Sequence, residues 1–272
     1  MDKRDQVIRN TVFSSLGIYT EYFLGMLTSI IIARHLGPAE FGAYSLVIWL
    51  VATGMVLTNS GVASAVIKFV AELRGAGRQA QIRPLLAWAW RVQGAFLAVV
   101  LAGGTAVFVL HGQRLGPEFN HAVLLAILLV TTALRASYML NIAIAKGFED
   151  FRVTAAVAVI VAPLNLLLIL VVWWLDGPME WFLGTYTASS FAFWWISRRK
   201  VEPLLPPPGP REPLEDDLRK RLRSYTALVA VTVAISFITA SEIEVLFLTL
   251  LDSAASAGHF KVAFQLASGA LL

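Results

Sequence analysis

Seven long apolar runs, nearly free of charge, dominate this chain of 272 residues. They cover residues 12–33, 41–59, 92–110, 123–145, 153–175, 179–196 and 225–251, and an eighth begins near residue 258. Runs of about 20 residues match the hydrocarbon thickness of a bilayer when wound as helices. Within lipid each backbone N–H and C=O must be bonded inside its own segment, so the runs are expected to be helical. The predicted fold class is all-α, a polytopic membrane helix bundle. Composition agrees. Apolar residues make up 57% and charged residues 15%, whereas soluble domains carry about 25% charged residues. A soluble enzyme, a disordered chain and a nucleic-acid partner are all disfavoured. With no cysteine, disulfides, thiolate metal sites and cysteine nucleophiles drop out together. The first run is too long, and lacks the small-residue cleavage site, to be a signal peptide.

Basic residues then set the orientation, since positive loops stay cytoplasmic. The N-terminus and alternate loops carry seventeen Lys and Arg, while the other loops carry only Arg34 and Arg114. The N-terminus is therefore expected in the cytoplasm, in a multi-pass protein of the cell inner (plasma) membrane. The one long linker contains Pro206-Pro207-Pro208-Gly209-Pro210, a stiff extended spacer. After it, residues 214–223 read as a short interfacial helix with acids first and bases last, as a helix dipole favours.

The chain also matches itself. Gly42-Ala43-Tyr44-Ser45-Leu46-Val47 aligns with Gly258-His259-Phe260-Lys261-Val262-Ala263 at an offset of 216 residues. Each copy opens an apolar span, and six spans fit inside the offset, a spacing found in transporters built from two parallel halves. The domains expected are a six-helix transmembrane lobe (1–197), a cytoplasmic linker with its interfacial helix (198–223) and the start of a second lobe (224–272). On that reading the chain is part of a longer protein of at least twelve spans.

Charges inside spans are costly and face a cavity or a partner helix. In the first span Ser14, Gly17, Glu21, Gly25 and Thr28 share one face. Glu21 reads either as a proton or cation site or as a carboxylate hydrogen-bonded to a neighbouring helix. In the fourth, Thr131, Arg135, Tyr138 and Asn141 form a similar stripe. Arg135 is suited to bidentate pyrophosphate binding, or to an ion pair with Glu21 or Glu242. Thr232, Ser236, Thr239 and Glu242 line a face of the seventh span, with Glu244 on another. The candidate substrate-binding residues are thus Arg34, Arg135 and Lys261, and the candidate ion-coupling residues are Glu21, Glu242 and Glu244. Arg34 also reads as a snorkelling anchor, and Trp88, Trp90 and Arg91 as an interfacial belt. Pro163 is expected to kink the fifth span, with Asn165 meeting a freed backbone group. No catalytic or metal site is expected. The four histidines, His35, His111, His121 and His259, lie at no ligand spacing, and Asp216-Asp217 opens a charged helix.

The stretch Ala33-Arg34-His35-Leu36-Gly37-Pro38-Ala39-Glu40-Phe41-Gly42-Ala43-Tyr44-Ser45, followed by Asn59-Ser60-Gly61-Val62-Ala63-Ser64-Ala65 and Lys68-Phe69-Val70-Ala71-Glu72, resembles the opening of polysaccharide biosynthesis flippases. These are O-antigen-type exporters of lipid-linked oligosaccharide within the multidrug/oligosaccharidyl-lipid/polysaccharide exporter superfamily. Glu244-Val245-Leu246-Phe247-Leu248 and the repeat at Gly258 resemble the start of that family's second lobe. The resemblance implies a MATE-like fold, alternating access, no cofactor and no enzymatic step. It implies a polyprenyl-pyrophosphate-linked oligosaccharide as cargo, moved from the cytoplasmic to the outer leaflet for polysaccharide, O-antigen or capsule export. The partners it implies are membrane lipids, a polysaccharide polymerase and a chain-length regulator. A multidrug or lipid II exporter of the same superfamily, or a non-transporting scaffold of a polysaccharide assembly complex, are the alternatives.

Overall fold

A computed structural model describes residues 3–59, 61–111, 120–207, 213–240 and 243–269. The described chain is helical throughout, without strands. Its helices are α1 (Lys3–Asn59), α2 (Val62–Gly75), α3 (Ile82–His111), α4 (His121–Gly147), α5 (Phe151–Trp174), α6 (Met179–Val201), α7 (Asp216–Ala240), α8 (Glu244–Leu251) and α9 (Ala254–Gly269). Among the described residues, four stretches are long and apolar enough to cross a membrane: Tyr19–Asn59, Gln79–Leu110, His121–Gly147 and Phe151–Trp174. Val99, Val107, Val109 and Leu110 of α3 and Leu167, Val171 and Trp174 of α5 are bare on the outside of the bundle. That is tolerable in lipid and not in water. The chain is an all-α membrane helix bundle.

The first two expected spans are two arms of α1 that meet at Gly37, where φ is 72° and ψ 174°. A left-handed φ favours glycine, and Pro38 suits the first position of the helix that restarts. The chain folds back here, because Ile32 and Phe41 from opposite arms share one buried cluster with Ile169, Val172 and Phe182.

Two expectations change. The segment before the third span is not a loop. It contains α2, whose Val62, Ala65, Val66, Phe69, Val70 and Leu73 are buried at helical spacing, and α3 begins at Ile82. The short interfacial helix and the seventh span are also not separate. One helix, α7, runs from Asp216 to Ala240, and a further helix, α8, begins at Glu244. Acids at Asp216 and Asp217 favour the start of α7 through the helix dipole.

The helices run back and forth between two ends. At the Gly37 end, His35 Nε2 lies 3.0 Å from the Gly177 carbonyl oxygen, and Leu124 packs with Ala43, Met179 and Leu183. At the opposite end sit α2 and most of the basic residues, including Lys68, Arg74, Lys146, Arg152 and Arg198 to Lys200. There Arg221 Nη2 reaches both carboxylate oxygens of Glu72, at 2.8 and 3.0 Å. Arg78 pairs with Glu215, and the Lys68 ammonium lies 4.3 Å from the Tyr225 ring centre. These contacts dock the start of α7 on α2.

A tighter crossing closes the Gly37 end. A Cβ placed on Gly42 would stand 1.7 Å from the Ala254 carbonyl oxygen, and one on Gly258 would stand 2.3 Å from the Pro38 carbonyl oxygen. Each glycine lies four residues into its helix and packs on the first residue of the other. The offset of 216 residues carries Gly42 to Gly258 and Pro38 to Ala254, so the two contacts exchange under the internal repeat.

Candidate functional site

Between the helices lies a cavity of about 300 Å³. The first arm of α1 contributes Glu21, Gly25 and Thr28, and the second contributes Tyr44, Ser45 and Ile48. Arg135 comes from α4, Asn165 from α5, Tyr186, Ser189 and Phe193 from α6, and Lys261 and Gln265 from α9. The first-arm stripe arises from residues three and four apart, which stack on one face of a helix. Gly17 of the same stripe packs on Ala155 instead, and the Ser14 side chain lies outside the described residues. Toward the Gly37 end the cavity is floored by the cluster of Ile32, Phe41 and Ile169, with Val262 of α9 against it.

Arg135 is held by α6. Its Nε donates to Ser190 Oγ at 2.9 Å, and Ser190 Oγ donates to the Tyr186 carbonyl at 2.7 Å. Its guanidinium carbon lies 4.7 Å from the Tyr186 ring centre and 4.5 Å from that of Phe193. Cation–π contacts are worth about 0.5–2 kcal/mol each, most where water is excluded. They offset part of the cost of a charge at membrane depth. The expected ion pair with Glu21 is not formed, since Arg135 has no carboxylate within 4 Å among the described residues, and the alternative partner Glu242 lies outside them. Its Nη groups make no hydrogen bond among those residues, and Arg135 is one of the residues that line the cavity. A planar fork so placed suits two oxygens of one anion.

This arrangement belongs to a ladder between α4 and α6. Thr131 Oγ1 and Thr187 Oγ1 are 2.7 Å apart, Tyr138 packs on Phe193 at 4.9 Å between ring centres, and Asn141 Nδ2 donates to Ser197 Oγ at 3.0 Å. The stripe on α4 is as its spacing predicts. The facing stripe on α6, Thr187, Ser190, Phe193 and Ser197, escaped sequence reasoning, although it has the same three-and-four rhythm.

The charged residues occupy different depths. At about 1.5 Å per helical residue, Glu21 lies about 24 Å from Gly37, and Arg135 about 21 Å from the start of α4. Ser45, Asn165 and Lys261 lie much nearer the Gly37 end, about 10–14 Å in. Glu21 makes no ion pair among the described residues. Its neighbour Tyr22 donates its hydroxyl to the Gln265 carbonyl at 2.9 Å, tying α1 to α9. The other candidates fall elsewhere. Arg34 is exposed at the Gly37 end, and Glu244 is exposed in the first turn of α8; neither borders the cavity. Glu242 lies outside the described residues. Arg91 is exposed, its Nε donating to the Ala87 carbonyl at 3.2 Å. Pro163 frees a backbone carbonyl, which only the Asn165 amide N–H could serve, and Asn165 Oδ1 has no hydrogen-bond partner among the described residues.

A family model described as polysaccharide biosynthesis protein matches residues 7–271. No curated protein and no solved structure matches the chain.

Proposed function

The chain belongs to the polysaccharide biosynthesis protein family, and from that premise we propose that it is a flippase carrying a polyprenyl-pyrophosphate-linked oligosaccharide from the cytoplasmic to the outer leaflet. At the family level such proteins export polysaccharide or lipid-linked oligosaccharide. The observation that carries the finer reading is Arg135. Its guanidinium is clamped by two rings and a hydroxyl, lacks a carboxylate partner among the described residues, and borders a cavity inside the bundle. A pyrophosphate would give Arg135 the anionic partner it lacks among the described residues. The basic α2 end is the cytoplasmic end by the positive-inside rule, which places the N-terminus in the cytoplasm and the Gly37 end outside. The cavity is then shut outward, poised to load from the cytoplasmic leaflet. Residues 1–197 form the first lobe, 198–223 the linker and 224–272 the opening of the second. Glu21, in the same cavity, is the carboxylate that takes the coupling proton or cation. No covalent step is needed; the work is done by binding and by exchanging which end is open. The polymerase and chain-length regulator act on the cargo after release.

Deleting the gene is expected to leave the lipid-linked repeat unit on the cytoplasmic leaflet. The wild-type chain restores export, and Arg135→Gln does not. Arg135→Lys keeps the charge but loses the planar fork, and is expected to restore export only in part. Unimpaired polymer export after deletion refutes the proposal. So does full restoration by Arg135→Gln.

A further inference from the structure

The outward face of α6 changes character along its length. Trp181, Ala188, Phe191 and Trp195 are exposed, at the three- and four-residue steps that keep them on one side of a helix. The opposite side, with Ser190, Phe193 and Ser197, is buried against α4. The pairs from Thr131–Thr187 to Asn141–Ser197 run in the same order on both helices, so α4 and α6 are parallel and end together at the α2 end. Arg198 then lies about 28 Å from the start of α6 at Met179, close to the roughly 30 Å thickness of the hydrocarbon.

At that level rings and guanidiniums come together. The guanidinium carbons of Arg198 and Arg199 lie 5.7 and 4.6 Å from the ring centres of Trp194 and Trp195, each one turn back along the helix. Phe191 packs on both indoles, 5.6 Å from Trp194 and 6.1 Å from Trp195, and is within 16° of parallel to the latter. Phe191 is 50% exposed and Trp195 42%, and both arginines are exposed. Elsewhere at this end Arg221 pairs with Glu72, Arg78 with Glu215 and Arg219 with Asp216. Arg198 and Arg199 have no carboxylate within 4 Å among the described residues, although Glu202 stands one turn on. None of these α6 residues lines the central cavity.

The helix dipole favours cations in a last turn, and side chains extended into water would serve it equally well. Here the guanidiniums lie back on outward-facing rings, at the depth where lipid phosphates stand. The occupant that fits has a polarity that changes at the same level. Its acyl chains run beside Phe191, its ester region meets the indoles, and its phosphodiester offers the two forks a pair of oxygens. Basic clusters at the ends of membrane helices recognise anionic headgroups in this way.

We propose that this face of α6 is a binding site for an anionic phospholipid of the leaflet at the α2 end, with Arg198 and Arg199 on its phosphate and Phe191 and Trp195 against its upper chains. The site is outside the bundle and independent of the flippase reading, in which Arg135 holds the cargo within it.

The test titrates the full chain, in a neutral detergent, with dioleoyl phosphatidylglycerol or with dioleoyl phosphatidylcholine, and follows the first bound lipid by native mass spectrometry. A basic residue near an anionic lipid surface contributes about fivefold to binding. Wild type is therefore expected to bind phosphatidylglycerol at least tenfold more tightly than phosphatidylcholine. Arg198→Gln and Arg199→Gln are each expected to weaken phosphatidylglycerol about fivefold and to leave phosphatidylcholine unchanged. Arg221→Gln removes the same charge at the same end but away from this face, and is expected to change neither. Equal affinity of wild type for the two lipids overturns the proposal, as does unchanged phosphatidylglycerol binding in both α6 variants. An equal loss in Arg221→Gln overturns it too, since the preference would then follow net charge alone. In intact membranes, p-benzoylphenylalanine in place of Trp195 is expected to cross-link to phospholipid; cross-linking to a protein instead makes this face a subunit contact and refutes the lipid site.

Discussion

Gly42→Ala is the sharpest perturbation the structure offers. The new Cβ would stand 1.7 Å from the Ala254 carbonyl oxygen, where 3.4 Å is the near limit of ordinary contact. The second arm of α1 and α9 must therefore separate by about 1.7 Å, and the atom in the way is backbone, which no rotamer change can move aside. Overpacking of this kind costs about 1–3 kcal/mol. If the crossing is what closes the Gly37 end, that cost falls on the closed arrangement alone, and the open one gains about fivefold to a hundredfold in relative population. The readout is direct because the chain has no cysteine. A single Ser45→Cys, buried behind the crossing, reports opening through its rate of labelling by a membrane-impermeant maleimide in intact cells. Adding Gly42→Ala is expected to raise that rate at least fivefold, while Gly184→Ala, which has no neighbour within 4 Å of its new Cβ, leaves it unchanged. An unchanged labelling rate in a Gly42→Ala protein that melts at a lower Tm would refute the reasoning, since the crossing would then be packing and not a gate.

Gly258→Ala meets the Pro38 carbonyl oxygen at 2.3 Å and is expected to act in the same direction by a smaller factor; combining it with Gly42→Ala should give less than the sum, because one separation relieves both clashes. Gln93→Leu removes the donor to Asn59 Oδ1 at 2.8 Å and to the Ala136 carbonyl at 2.7 Å, leaving buried acceptors unpaired, and is expected to cost about 2–4 kcal/mol of stability in a detergent melt. Arg221→Ala breaks a pair whose side chains are 44% and 38% exposed, so it is expected to cost less than about 1 kcal/mol and to matter less still at high salt. Gly61→Ala places a side chain at φ 73° and 2.2 Å from the Thr226 carbonyl oxygen, and should loosen the docking of α7 on the first helices, read as faster labelling of a Thr226→Cys reporter.

The first five apolar runs were legible because lipid imposes one rule on every residue of a run, so apolar length alone marks them. Helix α2 was not, although Val62, Val66, Phe69 and Leu73 repeat at helical spacing. Lys68 among them and Arg74 and Arg78 just beyond read as a charged loop, and only burial against α3 and α4 shows the apolar face at work. The helix boundary expected near residue 224 was missed for a related reason. A helix does not stop where its solvent changes from water to lipid, so α7 continues through a switch in composition. In the cavity, the stripes of Glu21 and Arg135 followed from spacing. What holds Arg135 did not, because Tyr186 and Ser190 become its partners only when α6 lies alongside α4. Unpaired atoms such as Asn165 Oδ1 are a property of the whole packing, and no local pattern announces them.

The repeat gains most from the structure. A chance likeness between two apolar segments would leave their glycines in unrelated surroundings. Here Gly42 rests on Ala254 and Gly258 on Pro38, the reciprocal pattern of a two-fold contact, in which residue i meets j and the equivalent of j meets the equivalent of i. An axis of approximate two-fold symmetry therefore passes through the crossing, and equivalent residues must reach the cavity from both sides. Ser45 and Lys261 do so. The two copies agree where the helices touch, at the glycines, and differ where they face the cavity, a hydroxyl on one side and an ammonium on the other. Contact along the axis constrains both copies alike, whereas the proposed cargo, with a pyrophosphate end and a sugar end, has no two-fold symmetry of its own. The residue proposed to hold its charged end, Arg135, lies on α4, outside both repeated segments.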